Sequence, residues 1–434
     1  MGIEQTISFR PAGQAGFLED PLFDDIKSRL RPLVKRMVEE IENGTASYLR
    51  LPFESDDLNR VQAEADRIRQ INTDVVVLGV GGSSLGAQVL CALAGGSDSS
   101  SFGHPKLHFP DNLNAESFSG LLDSLDFGTS HFVVISKSGN TTETMAQMAL
   151  GLAGARKSLK ESDVRKHFSV IVSPGDNALR RLAEINNFTV FDHPNDLCGR
   201  FSVFSSVGLL PAAVAGIDAI AVRRGARDVL EALGREKDVL EAPAVMGAAI
   251  HEYLVEKCGM GITVLMPYDT HLDSFSRWFQ QLWSESLGKN GKGTTPLRAL
   301  GPADQHSQLQ LFLDGPPDKF VTVIIADTAG QGPMITDEIS GIEGLDYLIG
   351  CTVGDVVAAE ARATIDALVG QGRPVREIRI PDLSERTIGA LMMSFMIETV
   401  LTAGLMGEDA FNQPAVEQIK KLTISNLEEK KLKG

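Results

Sequence analysis

The sequence predicts an α/β protein of two doubly wound parallel-sheet units, with helical segments at both ends. Three observations carry this expectation. Short apolar runs rich in β-branched residues recur, as in strands buried within a parallel sheet. Amphipathic stretches separate them, the pattern of parallel crossovers. The series occurs twice, on either side of a charged amphipathic connector at 219–242.

Residues 1–54 read as an N-terminal helical segment: Phe17, Leu22, Ile26, Leu30, Leu33, Val34 and Met37 recur mostly at spacings of three and four. The first sheet unit spans 55–218, with strands expected at 75–78, 132–135, 168–172 and 188–191 and helices at 142–152 and 178–185. The second spans 219–382, with strands at 262–266, 320–325 and 377–380. Residues 383–434 read as C-terminal helices. Their run IGALMMSFMIETVLTAGLM, 388–406, carries Glu398, Thr399 and Thr402, so a buried core or interface helix is the better reading than a membrane span.

The 434 residues are 43% hydrophobic and 23% charged, which excludes a disordered chain. With 41 Lys and Arg against 57 Asp and Glu, the net charge of −16 sets the chain against nucleic acid as a partner. Any anionic ligand must then be held by local geometry. Cys91, Cys198, Cys258 and Cys351 are scattered, with no C-x-x-C pair, as in a reducing compartment. The N-terminus MGIEQTISFRPAGQAGF has no apolar stretch behind a basic start. The expected location is cytoplasmic, with no membrane partner.

Five segments can carry chemistry. VVVLGVGGSSLGAQVL (75–90) runs from strand through glycines into helix, with Ser83 and Ser84 at the turn. Ser84 stands where a dinucleotide fingerprint needs its third glycine, and no G-K-[ST] follows. An anion-binding turn and a plain strand-to-helix turn fit it equally. FVVISKSGNTTETMAQM (132–148) ends a strand in Ser136, Lys137, Ser138, Gly139, Asn140, Thr141 and Thr142. A capping box accounts for one of the four hydroxyls. A phosphate or sulfate cradle accounts for all of them. Gly199-Arg200-Phe201-Ser202, read alone, is a surface salt bridge.

The fourth segment, 275–319, places Trp278, Gln281, Leu282 and Glu285 on one helical face. An indole and a leucine beside Glu285 should partly desolvate its carboxylate, an environment that suits a general base. His306, within Asp304-Gln305-His306-Ser307-Gln308, fits a structural or a proton-transfer role equally. In the fifth, 411–421, Gln413 and Lys420 are seven apart and share a helix face, which in isolation is a solvated lysine face.

Together and in this order, the five segments resemble the glucose-6-phosphate isomerase (phosphoglucose isomerase) family in its shorter bacterial form, over about Asp74 to Lys421. The resemblance implies two sugar-isomerase (SIS) domains with the active site between them and a homodimer whose subunits complete each other's sites. It implies no metal and no organic cofactor. By motif position, Ser136, Ser138, Thr141 and the Lys137 backbone would hold the substrate phosphate with help from Ser83. Glu285 would move the proton between C1 and C2, and Arg200 would stabilise the enediolate. His306 and Lys420 would assist ring opening, with Gln281 and Gln413 positioning the sugar and His306 reaching into the partner's site. Cys198 departs from the family's usual Gly or Pro, and Asn412-Gln413-Pro414-Ala415 from the commoner Asp-Gln-x-Gly.

A sugar-phosphate sensor would keep the hydroxyl loop and lose the base, whereas this chain keeps Glu285, His306 and Lys420 and shows no basic helix-turn-helix. A glutamine-dependent aminotransferring relative needs an N-terminal cysteine, and residue 2 is glycine. The missing third glycine argues against a dehydrogenase. An isomerase of another anionic sugar stays open.

Overall fold

The computed structural model describes residues 3–8, 17–95, 103–235 and 242–433. Among these residues ten strands form two sheets. They are β1 (Glu4–Ser8), β2 (Asp74–Leu78), β3 (Lys106–His108), β4 (Ser130–Ser136), β5 (Phe168–Val172), β6 (Thr189–Asp192), β7 (Ile262–Pro267), β8 (Thr295–Arg298), β9 (Lys319–Ala326) and β10 (Val375–Ile380). The first sheet has the order β3-β2-β4-β5-β6 and is wholly parallel. The second has the order β1-β10-β9-β7-β8, parallel except for β1.

Every strand expected from an unbroken apolar run is present. In β2, Val75 and Val77 face one core while Val76 and Leu78 face another, which is why the run lacks alternation. Three further strands, β1, β3 and β8, had no such signal. Each lies at a sheet edge. Lys106-Leu107-His108 holds one apolar residue, and Thr295-Pro296-Leu297-Arg298 holds a proline tolerated only at an edge. β1 corrects the wholly helical reading of the N-terminal segment: it runs antiparallel to β10, pairing Glu4 with Arg379 and Ser8 with Val375.

The N-terminal helix itself spans Pro21–Asn43 and buries Phe23, Ile26, Leu30, Val34 and Met37. Phe17 falls before it, in the short turn Phe17–Glu19. Asp20 caps the helix by accepting from the Leu22 amide at 2.9 Å, and Gly44 ends it at φ 61°. The apolar run forms helix Glu385–Met406, long and apolar enough to cross a membrane, yet with 78% of its most apolar window buried inside the protein. It packs against helices Pro21–Asn43, Ala219–Arg235, Pro243–Cys258 and Asp273–Leu287. Its Glu398 is held by both arms of Arg376 at 2.7 and 2.8 Å.

One continuous core joins the two units, taking in Val75, Val133 and Ile135 of the first sheet and Leu265, Ile324 and Ile378 of the second. This core takes in one face of each sheet, and the opposite faces have smaller cores of their own. In the first sheet β3 and β4 flank β2, so the loops leaving the carboxyl ends of β2 and β4 diverge and open a crevice there.

Candidate active site

The crevice is part of a 730 Å³ cleft. Its floor comes from the first sheet unit. Ser136, the last residue of β4, is buried and its hydroxyl bonds that of Thr141 at 2.9 Å. Thr141 stands at the N-cap of helix Thr142–Ser158, but its side chain makes no cap bond. The capping-box reading therefore fails, and the amides of the first turn face the cleft's hydroxyl loop with the positive end of the helix. Gly139, at φ 67°, turns the loop so tightly that a Cβ there would lie 2.0 Å from Asn177 Oδ1.

The glycine turn after β2 serves the adjacent wall. A Cβ on Gly82 would lie 2.2 Å from the Gly199 carbonyl carbon and 2.5 Å from the Arg200 nitrogen. The glycine is thus required for two backbones to touch, and Ser202 Oγ donates to Gly82 O at 3.3 Å across the junction. This contact fixes Arg200, which is 1% exposed and no surface residue.

All five N–H donors of the Arg200 guanidinium are engaged. Nε donates to Ser286 Oγ at 2.9 Å, Nη1 to Glu285 Oε2 at 3.0 Å and Gln413 Oε1 at 2.7 Å, and Nη2 to the carbonyls of Ala410 at 2.6 Å and Asn412 at 3.0 Å. Glu285, on helix Asp273–Leu287, also accepts from Gln281 Nε2 at 3.0 Å. Its side chain is 29% exposed and opens on the cleft. A carboxylate, a buried guanidinium and a hydroxyl-rich loop thus face one space.

The sequence matches the phosphoglucose isomerase family across residues 62–433. The chain belongs to the phosphoglucose isomerase family. It is 37% identical to the glucose-6-phosphate isomerase of Rubrobacter xylanophilus over 412 residues, 93% of each chain. A crystal structure of a hypothetical protein from Thermus thermophilus superposes with a TM-score of 0.85 at 33% identity, covering 98% of this chain and 100% of that one. A glucose-6-phosphate isomerase from Chlamydia trachomatis shares the fold, with a TM-score of 0.71 at 20% identity over 98% of this chain and 82% of that one.

Ser83, Lys137, Ser138, Thr141, Arg200, Gln281, Glu285, Gln413 and Lys420 all line the cleft, and Ser136 braces it from behind. His306 does not. It ends the short turn Ala303–His306, is exposed, and lies outside the cleft lining of its own chain. The expected apolar flank of Glu285 is also corrected. Trp278 and Leu282 turn into the core, Trp278 donating to Arg200 O at 3.3 Å, and Glu285 is held by polar partners instead.

Sequence reasoning missed the loop Ser173-Pro174-Gly175-Asp176-Asn177, which leaves β5 and forms the wall beside the hydroxyl loop. Ser173 N donates to Lys137 O at 3.2 Å and Leu179 N to Gly139 O at 3.1 Å, lacing the two loops together. Its signal was available: a Gly-Asp-Asn turn at the carboxyl end of a buried strand. Cys198 also lines the cleft. Burial pushes its thiol pKa up, against the pull of Arg200 and Lys137, so it stands there as a neutral group.

Proposed function

We propose that this cleft interconverts glucose 6-phosphate and fructose 6-phosphate by moving a proton between C1 and C2 through an enediolate, a step of glycolysis and gluconeogenesis. The observation that carries the assignment of roles is the Arg200–Glu285 pair at 3.0 Å, on the same cleft as the Ser136–Thr141 loop.

The phosphate is the remote handle. Held by Ser83, Ser138, Thr141 and the backbone at Lys137, it supplies binding energy that orients the reacting carbons. Lys420 assists opening of the ring, and Gln281 and Gln413 position the open chain. Glu285 then takes the C2 proton of the aldose. The C–H electron pair forms the C1–C2 double bond, and the carbonyl π pair moves to O1.

Arg200 links the two halves of that step. Before transfer its Nη1 faces the negative Glu285; afterwards Glu285 is neutral and the charge sits on the enediolate. The guanidinium therefore meets one negative charge throughout, and the N–H that Glu285 or Gln413 releases is the donor for the new oxyanion. Exchange of a proton between O1 and O2 and return of the Glu285 proton to C1 give the ketose.

His306 stands apart from its own cleft, which supports a homodimer in which a second copy brings that histidine to the site. The acidic chain and its scattered cysteines support a cytoplasmic location. The deciding experiment is a coupled assay of the purified protein with fructose 6-phosphate, read as glucose 6-phosphate formed. Turnover upholds the reading; binding of fructose 6-phosphate without turnover would leave a sensor.

A further inference from the structure

The turn Gly288-Lys289-Asn290-Gly291-Lys292-Gly293 leaves the end of the Glu285 helix and has no part in the chemistry above. Its three polar side chains all reach one neighbouring stretch. Lys292 Nζ donates to Met406 O at 2.5 Å and lies 3.5 Å from Glu408. Asn290 Nδ2 donates to Glu408 Oε2 at 2.9 Å. Lys289 Nζ donates to Asp409 O and, at 3.0 Å, to Ser286 O. Arg200 takes the next carbonyls, Ala410 and Asn412.

Three cations thus grip the carbonyls of residues 406, 409, 410 and 412 in succession. Two of the atoms involved are at helix ends. Met406 closes helix Glu385–Met406 and Ser286 lies in the last turn of helix Asp273–Leu287, where unpaired carbonyls and the dipole both favour an ammonium. The stretch they hold leads to Gln413 and to helix Glu417–Lys433, which carries Lys420. None of the described side chains of that helix is buried. The fastening of residues 406–413 therefore contributes to its placement over the cleft: these cations hold the stretch, as does Phe411, whose ring packs 5.3 Å from Tyr48 and 5.1 Å from Phe201.

We infer that the 288–293 turn is a cationic latch in which Lys289 is a positioning residue, tying residue 409 to the end of the Glu285 helix and so placing Gln413 and Lys420 over the base. The inference rests on the roles proposed above for Glu285 and Lys420. Its effect is separable from substrate capture, because the hydrogen bonds of the turn's side chains run to residues 286, 406, 408 and 409 and not to the Ser136–Thr141 loop.

Lys289→Met and Lys289→Arg are to be compared with the native protein in three measurements: turnover of fructose 6-phosphate, competitive inhibition by inorganic phosphate, and amide hydrogen exchange across 406–433. Lys289→Met should lose at least about tenfold in kcat, with phosphate inhibition unchanged within about twofold. Exchange in 406–433 should quicken, and Lys289→Arg should recover most of kcat. Native kcat in Lys289→Met overturns the inference. So does an equal weakening of phosphate inhibition, a loss that Lys289→Arg leaves unrecovered, or unchanged exchange. Should Lys289→Met fail to fold, Lys292→Met decides by the same readings, with a smaller expected fall in kcat. A native protein without turnover would instead defeat the isomerase reading, while exchange in the variants still judges the latch.

Discussion

Replacing Arg200 by lysine tests the centre of the site. The guanidinium serves five acceptors spread over Ser286, Glu285, Gln413, Ala410 and Asn412. An ammonium has three donors on one atom and cannot span them, so at least two acceptors lose their partner. Each buried acceptor left unpaired costs about 1–3 kcal/mol, hence about 4 kcal/mol for two as a middle figure. At roughly 2.1 cal/mol/K per residue, the 434-residue chain has an unfolding entropy of about 0.9 kcal/mol/K, so Tm should drop by about 4 °C. The kinetic effect should be larger. Loss of the preorganised oxyanion donor should lower kcat by about 10² to 10³, while KM for fructose 6-phosphate stays within a few-fold, since the phosphate loop is untouched. The assay is coupled turnover beside a thermal melt. Arg200→Lys with native Tm and kcat within about threefold of native would refute both the five-acceptor clamp and the oxyanion role.

Glu285→Gln keeps the shape and the Arg200 contact but removes the base, so kcat should fall by about 10² to 10⁴ with KM nearly constant; retained turnover would move the base elsewhere. Thr141→Val deletes a cradle hydroxyl and orphans that of Ser136, so KM should rise by about tenfold with kcat little changed, and an unchanged KM would relocate the phosphate. Gly82→Ala drives a Cβ into the Gly199–Arg200 backbone, and the resulting shift of Arg200 should lower kcat by about 10²-fold; native kinetics would mean the junction yields elsewhere. Far from the site, burial and Glu256 push Glu252 up to about 7, against the opposing pull of Arg29. Because its folded pKa lies above its unfolded value, stability is full below that unfolded value and is lost as pH rises through the folded one. Glu252→Gln should therefore flatten the fall of Tm between about pH 5 and about pH 8, and identical slopes would count against the shift.

The legible parts of this protein were those whose cause is local. β2, β4, β5, β7 and β9 are buried along nearly their whole length and are dominated by apolar residues, so they declared themselves, and β6 and β10 were legible from shorter runs. The edge strands β1, β3 and β8 have one open side and little apolar demand, and gave no signal. The hydroxyl loop was readable as a cluster because its hydroxyls fall within a few residues of one another at the end of one strand. The Gln281–Glu285 pair was readable because four residues is one helical turn. The expected indole flank of Glu285 failed for a related reason. Helical phase puts Trp278 on the same side as Glu285, but which part of that side meets the core is set by what packs there.

The sequence by itself therefore determined the two largely parallel sheets, many of the side chains that line the cleft and the family to which the chain belongs. Tertiary structure alone decided how that inventory is arranged. It showed that Arg200 is buried and fully bonded, that Gly82 exists to let the arginine turn approach, and that His306 lies outside its own chain's cleft. The physical reason is the nature of the acceptors. Arg200, Lys289 and Lys292 each donate to main-chain carbonyls within residues 406–412, and every residue carries such a carbonyl. No side-chain pattern marks which carbonyls a distant cation will find; only the folded chain brings them together.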